Sequence, residues 1–362
     1  MEEKSICITN PFRINIDPME RLLLLNFEKD PDETYIGFEP QVFDDGIHGR
    51  GHIVIGWRID GKVDVYCQPG LKLDPEGYDI VGKGLAEMVE TQFTEAYYEV
   101  NDYGVQAHYE FNSIDNRQVV IKISEKNTRR RKPFGLLAPM GDAAEKPSAM
   151  PLVLLNDFYF IRKNNTEAKV SIGGKLHKLD ELPVPMDGTR MFYARYSPEP
   201  LIATLNPAYD GELKPFSIEH QQRLAGSEEL DIELDWVKDK PYIKSLTRKN
   251  TIHPLTLNFI DAFPDIRSLE NGDVFSGEFE IKGHPTTGKI GGSYEVEKNG
   301  EIMIKMIPTQ GWDPTPSKLS LRIMYSVAKI FKNWPKTYEW TANIQEDGNE
   351  VYHMQSRWDR IR

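Results

Sequence analysis

Short runs of alternating apolar and polar residues, separated by turn signals, make up most of this chain. His52–Ile59 alternates until Asp60-Gly61, and Lys62–Cys67 alternates again after that pair. A turn pair between two such runs predicts a β-hairpin, because Asp, Asn and Gly tolerate the positive φ angles of two-residue turns. The same pattern predicts further hairpins at Asn299-Gly300, Gly173-Gly174 and Asp347-Gly348.

Other strand candidates fill both halves of the chain. They are 91–100, 104–112, 118–124, 153–162 and 167–172 in the first half, and 201–205, 229–237, 256–259, 273–281, 337–344 and 350–358 in the second. Strands at this spacing, with polar turns between them, are typical of barrels and sandwiches rather than of βαβ units. The fold class predicted is therefore mostly β.

One segment, 316–334, has helical rather than strand periodicity. Its apolar residues recur at about 3.6-residue spacing and Pro335 ends the pattern, which predicts one long helix. The apolar stripe consists of Leu319, Ile323, Val327, Ile330, Phe331 and Trp334. Lysine and arginine residues on the other side leave membrane-surface binding open, but a helix packed on a core produces this pattern far more often.

Length and charge limit the architecture and the partners. A chain of 362 residues exceeds one comfortable core, and the prolines between Pro198 and Pro207 predict domains 1–200 and 201–362. The net charge of −12 disfavours nucleic acid as a partner. Two cysteines, Cys7 and Cys67, do not make a disulfide framework, and the acidic N-terminus lacks a secretory signal, so we expect a cytoplasmic protein.

The order of antiparallel strands, one long helix and closing strands resembles the lipocalin plan. The residues that carry the resemblance are the hairpin 291–307, the Gly311-Trp312 turn, the helix 316–334 and the closing strand 351–358. With its two-part build, the chain is similar to the two-barrel lipocalin-like proteins related to carotenoid 1,2-hydratases and to AttH proteins. The resemblance implies two lipocalin-like antiparallel β-barrel or sandwich domains.

A barrel lined by aromatic side chains can hold one hydrophobic molecule, and this is the function predicted first. The ligand class is a lipid- or isoprenoid-like small molecule, and no motif for a cofactor occurs. Candidate wall residues are Trp57, Phe93, Tyr97, Tyr109 and Phe111. The alternative, that these side chains simply fill the interior, stays open.

The segment 44–52 carries two acids, His48 and His52 among three glycines. On an extended strand the two imidazoles are about 13 Å apart, too far to share a metal ion. A metal site requires a bent loop and a third ligand from elsewhere. The simpler prediction is a loop at a barrel mouth, where a histidine contacts the ligand.

A second cluster predicts an enzymatic alternative. A hairpin at 101–104 brings Tyr97 or Tyr98 near His108, and Glu95 near Glu110. A carboxyl group inside an apolar barrel has a raised pKa and can act as a general acid. The alternative function is therefore a hydratase-like lyase or isomerase with Glu95 or His108 as the proton donor. Cross-strand pairing on a solvated face explains the same residues, so enzymatic activity is left open.

Overall fold

The computed structural model of the chain describes most of its residues. These are 6–17, 19–75, 79–80, 83–129, 132–138, 146–183, 185–186, 188–249, 253–315, 319–327, 334–348 and 351–361. They form a mostly β protein, as the sequence predicted. No helix within them is both long enough and apolar enough to cross a lipid bilayer.

The strands are numbered in chain order. The first fifteen are β1 (Ile6–Ile8), β2 (Ile14–Asp17), β3 (Arg21–Asn26), β4 (Tyr35–Asp45), β5 (Gly49–Arg58), β6 (Val63–Cys67), β7 (Asp79–Ile80), β8 (Lys83–Glu90), β9 (Glu95–Asn101), β10 (Gly104–Asn112), β11 (Gln118–Glu125), β12 (Phe134–Ala138), β13 (Met150–Arg162), β14 (Thr166–Ile172) and β15 (Lys175–His177). The others are β16 (Met191–Ser197), β17 (Leu201–Leu205), β18 (Tyr209–Leu213), β19 (Phe216–Ile218), β20 (Leu224–Gly226), β21 (Leu230–Val237), β22 (Lys240–Arg248), β23 (Leu255–Pro264), β24 (Val274–Lys282), β25 (Lys289–Asn299), β26 (Glu301–Asp313), β27 (Tyr338–Glu346) and β28 (Tyr352–Arg360). Two 3₁₀ turns, Ile266–Ser268 and Pro285–Thr287, and one α-helix, α1 (Leu319–Val327), complete the elements.

The predicted hairpins are confirmed by the strand pairing. β5 pairs with β6 around Gly61, and β25 pairs with β26 around Gly300. Gly173 joins β14 to β15, and Gly348 joins β27 to β28. All four glycines have positive φ, between 57° and 83°, which explains why the turn residues identified these hairpins from sequence.

The chain divides into two compact units. The sandwich unit consists of Pro18–Gly135 and Leu155–Leu201, and the half-barrel unit consists of Met1–Asp17, Leu136–Leu154 and Ile202–Arg362. Neither unit is a continuous stretch, in contrast to the two continuous domains that the sequence predicted. Strand pairing joins residues that are distant in the chain, and no local sequence signal marks which distant segments belong to the same unit.

Two sheets face each other in the sandwich unit. One follows the order β13-β16-β3-β4-β5-β6-β8-β7, and the other follows β15-β14-β11-β10-β9. Strand alternation sends every second side chain into the space between them. That space is filled by a core of aliphatic and aromatic residues from both sheets, which include Leu23, Leu25, Phe38, Val54, Tyr66, Tyr109, Phe111, Ile121, Val170 and Tyr196.

The half-barrel unit is built on one open antiparallel sheet of ten strands. Its order is β18-β28-β27-β26-β25-β24-β23-β22-β21-β20, and among the described residues β18 and β20 do not pair with each other, so the sheet is a half-barrel. The buried residues alternate along each strand, as Trp340, Ala342 and Ile344 do in β27. This gives the sheet one apolar face and one exposed polar face.

Helix α1 is nine residues long, shorter than the predicted helix 316–334. Residues 316–318 and 328–333 of that prediction lie outside the described residues, and Trp334 lies in a turn. The described residues therefore support a short helix rather than one long helix.

The buried face of α1 differs from the predicted stripe. Leu319 and Ile323 are 72% and 56% exposed, whereas Leu321 and Tyr325 are buried. Tyr325 packs edge-on against Trp312, with ring centroids 4.9 Å apart. Leu321 and Tyr325 are also four residues apart, so helical periodicity alone did not distinguish the two faces.

Candidate functional site

A cleft of about 390 Å³ opens in the sandwich unit, where β3, β4 and β5 approach β9. Three residues that the sequence proposed as ligand contacts meet here. His52 and Tyr97 line the cleft, and Tyr109 lies directly behind His52. The lining residues are Glu20, Arg21, Val42, Phe43, Asp44, Arg50, Gly51, His52, Gln68, Ala96, Tyr97 and Tyr98.

His52 is held at the floor of the cleft by two hydrogen bonds. Its Nδ1 lies 2.9 Å from the hydroxyl of the fully buried Tyr109, and its backbone N–H donates to Gln68 Oε1 at 2.8 Å. Burial and the nearby Arg21 charge lower the pKa of His52, so its imidazole is neutral at pH 7. The cleft therefore offers an uncharged polar group in a fixed orientation.

Each arginine in the cleft lies beside a carboxylate. Arg21 Nη2 donates to Glu20 at 2.8 Å, and Arg21 Nη1 donates to the Tyr98 carbonyl at 3.2 Å. Arg50 lies 3.7 Å from Asp44, measured from Nε to Oδ2. The charges balance, so the cleft has no strong preference for an ionic ligand. Ala96 and the exposed ring of Tyr97 add apolar surface.

His48 and Trp57 belong to different surroundings. His48 lies in the β4–β5 turn, where Asp45 accepts its backbone N–H at 2.7 Å and lies 3.2 Å from its Nδ1. Trp57 is on the opposite face of β5 from His52, because the two are an odd number of residues apart. The structure therefore separates both side chains from the His52–Tyr109 pair.

The pair proposed as proton donors lies on the outer face of the β9–β10 hairpin. The predicted register is confirmed, since Tyr97 faces His108 and Glu95 faces Glu110. However, Glu95 is exposed, Tyr97 is 45% exposed, and His108 Nε2 lies 2.9 Å from Glu110 Oε1. Glu95 and His108 therefore lack the apolar enclosure that their catalytic role requires, and we do not propose that role further.

The aromatic residues expected to line a lumen pack against one another. Phe93 contacts Tyr109 and Phe111, with centroids 6.1 Å and 5.3 Å apart, and Tyr66 lies 4.6 Å from Phe111. Tyr66, Tyr109 and Phe111 are at most 2% exposed. These residues fill the space between the two sheets, as the alternative interpretation predicted.

A second polar group, which the sequence did not reveal, lies on the Trp57 face of the sandwich sheet. Glu39 Oε2 accepts the Trp57 indole N–H at 3.1 Å, and Glu39 Oε1 accepts the Gln41 amide at 2.9 Å. Glu39 pairs in register with Ile55, which is fully buried. Burial raises the pKa of Glu39, and the opposing effects of Gln41, Arg195 and Trp57 do not cancel this rise. This is the carboxyl environment that had been predicted for Glu95.

The missed residues carried weak signals. Glu39 is the single charged residue in the run Phe38 to Phe43, which apart from Gln41 is otherwise apolar, and such a position is a weak sign of a partly buried carboxylate. Arg21 begins β3 and Gln68 follows β6, and polar residues at the ends of strands are usually exposed to solvent. Their convergence on His52 depends on pairing between distant strands.

The half-barrel unit has its own groove, of about 600 Å³, on the outer face of the sheet. Asn343, Gln355 and Arg357, which are exposed, line it together with Asp210. Asp210 already accepts from Gln355 at 3.0 Å and lies 2.7 Å from His353. No residue predicted for function lies in this groove.

Comparison of the chain with models of known families, with curated proteins and with solved structures finds no match. The resemblance to two-barrel lipocalin-like proteins therefore stays a prediction. The mostly β fold with one half-barrel is compatible with a β-barrel and does not identify a lipocalin-like protein.

Proposed function

We propose that this chain binds a small, uncharged molecule, or the uncharged polar end of a larger apolar one, in the His52 cleft of the sandwich unit. The single observation that carries the proposal is the His52 imidazole, held 2.9 Å from the buried Tyr109 hydroxyl in a cleft of about 390 Å³. Sites for small molecules typically occupy about 300–1,000 Å³ and combine apolar walls with a few oriented polar groups. The cleft has such a volume and an oriented polar group, and its lining is mostly polar, with Ala96 and the exposed Tyr97 ring as apolar parts.

The lining indicates the chemistry of the ligand. An apolar part of the ligand would lie against Ala96 and the exposed ring of Tyr97, and one carbonyl or hydroxyl group would bond to His52. The balanced charges of Arg21 and Glu20 disfavour a ligand with a net charge. A lipid- or isoprenoid-like molecule fits this description at its polar end, and the cleft accommodates a fragment of modest size.

Filling the cleft with a larger side chain should weaken the binding of an uncharged fluorescent probe. In a Nile red titration we expect saturable binding to the wild-type protein. The variant Ala96→Phe places a bulky side chain in the cleft. It should raise the dissociation constant at least about tenfold, which corresponds to a loss of about 1.4 kcal/mol of binding free energy. Far-UV circular dichroism and the melting temperature verify that the variant is folded.

The matched control is Ala208→Phe, which places the same side chain in the groove of the half-barrel unit. It should leave the Nile red affinity unchanged. If Ala208→Phe abolishes binding and Ala96→Phe does not, the cleft is not the site. Native mass spectrometry of freshly purified protein then identifies any bound small molecule by its mass.

A second candidate function, a lyase or isomerase for an apolar substrate, rests on Glu39. Its carboxyl group lies beside the Trp57 ring system among buried aliphatic residues, and burial raises its pKa. A protonated carboxyl in an apolar environment is the group needed to protonate an isolated double bond. Glu39 replaces Glu95 as the acid in this proposal.

This candidate requires Glu39 to titrate above the ordinary value of 4.5. We expect ¹³C NMR to show that behaviour in the wild-type protein. Trp57→Phe removes one donor to the carboxylate and should raise the pKa of Glu39 further. Trp236→Phe, which removes an indole from the half-barrel unit, should not change it. Titration of Glu39 at or below 4.5 eliminates the candidate.

A further inference from the structure

The hydroxyl group of Tyr109 determines which nitrogen of His52 carries the proton. Tyr109 is fully buried, and burial raises the pKa of its hydroxyl group, so the group keeps its proton. Among the described residues its one hydrogen-bond partner is His52 Nδ1, at 2.9 Å. A buried donor without an acceptor is strongly unfavourable, so the Tyr109 hydroxyl donates and His52 Nδ1 accepts.

This hydrogen bond fixes the tautomer of His52. A neutral imidazole carries one proton, and since Nδ1 accepts, that proton is on Nε2. The two ring nitrogens point in nearly opposite directions, so Nε2 points away from Tyr109. No hydrogen bond to Nε2 occurs within the described ranges, and this atom remains accessible in the cleft that His52 lines. His52 therefore presents an N–H donor to a ligand rather than a lone pair.

Gln68 adds a second donor to the lining of the cleft. The His52 backbone N–H donates to Gln68 at 2.8 Å, so the side-chain oxygen Oε1 must be the atom that faces it. Gly51 permits this approach, because a Cβ atom there would lie 3.0 Å from Gln68 Oε1. The amide nitrogen of Gln68 has no partner in the part of the chain that the structure describes, and the residue lines the cleft beside His52.

The carboxylate acceptors of the cleft lie at its edge. Glu20 is paired with Arg21 at 2.8 Å and is 40% exposed, and Asp44 lies beside Arg50 and is 53% exposed. Water screens such exposed groups and competes for their hydrogen bonds. The less exposed polar groups, which discriminate best between ligands, are the donors of His52 and Gln68.

We propose that the cleft recognises its ligand through a carbonyl oxygen, as in a ketone or an ester, which accepts from His52 Nε2–H and from the Gln68 amide. This inference rests on the proposed function, because it specifies the chemistry of the ligand in that same cleft. A carbonyl oxygen has two lone pairs and no proton. It accepts both hydrogen bonds and leaves no donor of its own unpaired.

Nitrogen NMR tests the donor without any ligand. In the full-length protein labelled with ¹⁵N-histidine, long-range ¹H–¹⁵N correlation at pH 8 should show His52 with a protonated Nε2 and an unprotonated Nδ1, and His52→Asn identifies its signals. Tyr109→Phe removes the O–H donor and should release the tautomer. Tyr103→Phe, at an exposed tyrosine between β9 and β10, should not. A protonated Nδ1 in the wild-type protein overturns the proposal.

Two uncharged bicyclic compounds test the preference of the cleft. 1-Indanone has a carbonyl acceptor and no donor, whereas indole has an N–H donor and no comparable acceptor. In competition with Nile red, we expect 1-indanone to bind the wild-type protein at least about tenfold more tightly than indole. Gln68→Glu keeps an oxygen for the His52 N–H but replaces the amide donor with an acceptor, so it should reduce this preference at least about fivefold.

Gln222→Glu is the matched control, since Gln222 Oε1 also accepts a backbone N–H, from Glu219 at 2.8 Å, in the half-barrel unit. It should keep the wild-type preference for 1-indanone. Equal affinity for 1-indanone and indole, in a protein whose Nile red binding is weakened by Ala96→Phe, overturns this inference and leaves the proposed function intact. A wild-type protein that does not bind Nile red contradicts both.

Discussion

Removing either partner of the Glu125–Arg162 ion pair should destabilise the protein by about 3–5 kcal/mol, the largest effect we expect from a single substitution. Glu125 is fully buried, and its Oε1 accepts from Arg162 Nε at 2.7 Å. The side chain of Arg162 is 6% exposed. Each charge is therefore compensated by the other and not by water, so a single deletion leaves an unpaired buried charge.

The surroundings of the pair strengthen this expectation. Arg162 Nη1 donates to the Arg129 carbonyl at 2.8 Å, and Glu125 Oε2 accepts the Val105 N–H at 3.4 Å. The pair thereby joins β11, β13 and the start of β10 at one end of the sandwich. Carbonyl groups solvate a guanidinium only partly, so they do not replace the lost carboxylate.

Urea denaturation followed by far-UV circular dichroism measures the effect. The single variants Glu125→Gln and Arg162→Met should each lose about 3–5 kcal/mol of unfolding free energy. The double variant Glu125→Leu with Arg162→Met should recover most of it, since apolar residues of similar volume carry no desolvation cost.

Lys122→Ala provides the control for this pair. Lys122 and Glu167 form an exposed ion pair on the same sheet, and its loss should cost less than about 1 kcal/mol. Single variants of the buried pair that behave like Lys122→Ala would falsify the expectation. A double variant less stable than either single variant would show that the pair itself favours folding.

Local signals predicted the hairpins well, because their information lies in a few adjacent residues. Gly61 and Gly300 adopt the positive φ angles that their turns require, and the flanking alternation sets the register. The register of Tyr97 with His108 was likewise predictable from the turn at 101–104. These features depend on contacts within about a dozen residues of sequence.

Which face of a strand points inward was less predictable. Alternation places Glu95, Tyr97 and Glu99 on one face of β9, but both faces of this strand carry aromatic residues. The opposite sheet decides the outcome, since Tyr98 packs into the core and its hydroxyl donates to the Leu22 carbonyl at 2.8 Å. Leu22 is 76 residues away, so the sequence near β9 did not contain this information.

The candidate sites depend on similarly distant pairing. His52 and Tyr109 are 57 residues apart and belong to different sheets, and Arg195 affects Glu39 from a strand near the end of the sandwich unit. Sequence reasoning selected His52 and Tyr109 by residue type alone. It missed Glu39, because a carboxyl group acquires a raised pKa only from its three-dimensional surroundings.

The second large effect concerns the pH dependence of stability and arises from Asp265. This residue is 3% exposed, its Oδ1 accepts the Thr9 N–H at 3.1 Å, and burial raises its pKa from 3.8 to about 6. The folded state therefore holds this proton more tightly than the unfolded state does. The resulting stabilisation is fully present below pH 3.8 and is lost as the pH rises through about 6, for a total of about 3 kcal/mol.

Asp265→Asn keeps an oxygen for the Thr9 N–H but does not ionise. We expect it to match the wild type near pH 4 and to exceed its unfolding free energy by up to about 3 kcal/mol at pH 8. Urea denaturation monitored by tryptophan fluorescence at intervals from pH 4 to pH 8 measures this difference, because Trp340 and Trp358 lie in the half-barrel unit. Asp235→Asn, at a side chain that is 51% exposed and lies beside Lys244, is the control and should differ from the wild type by a constant amount. If the Asp265→Asn difference is also constant with pH, the buried carboxyl group does not titrate as its surroundings imply.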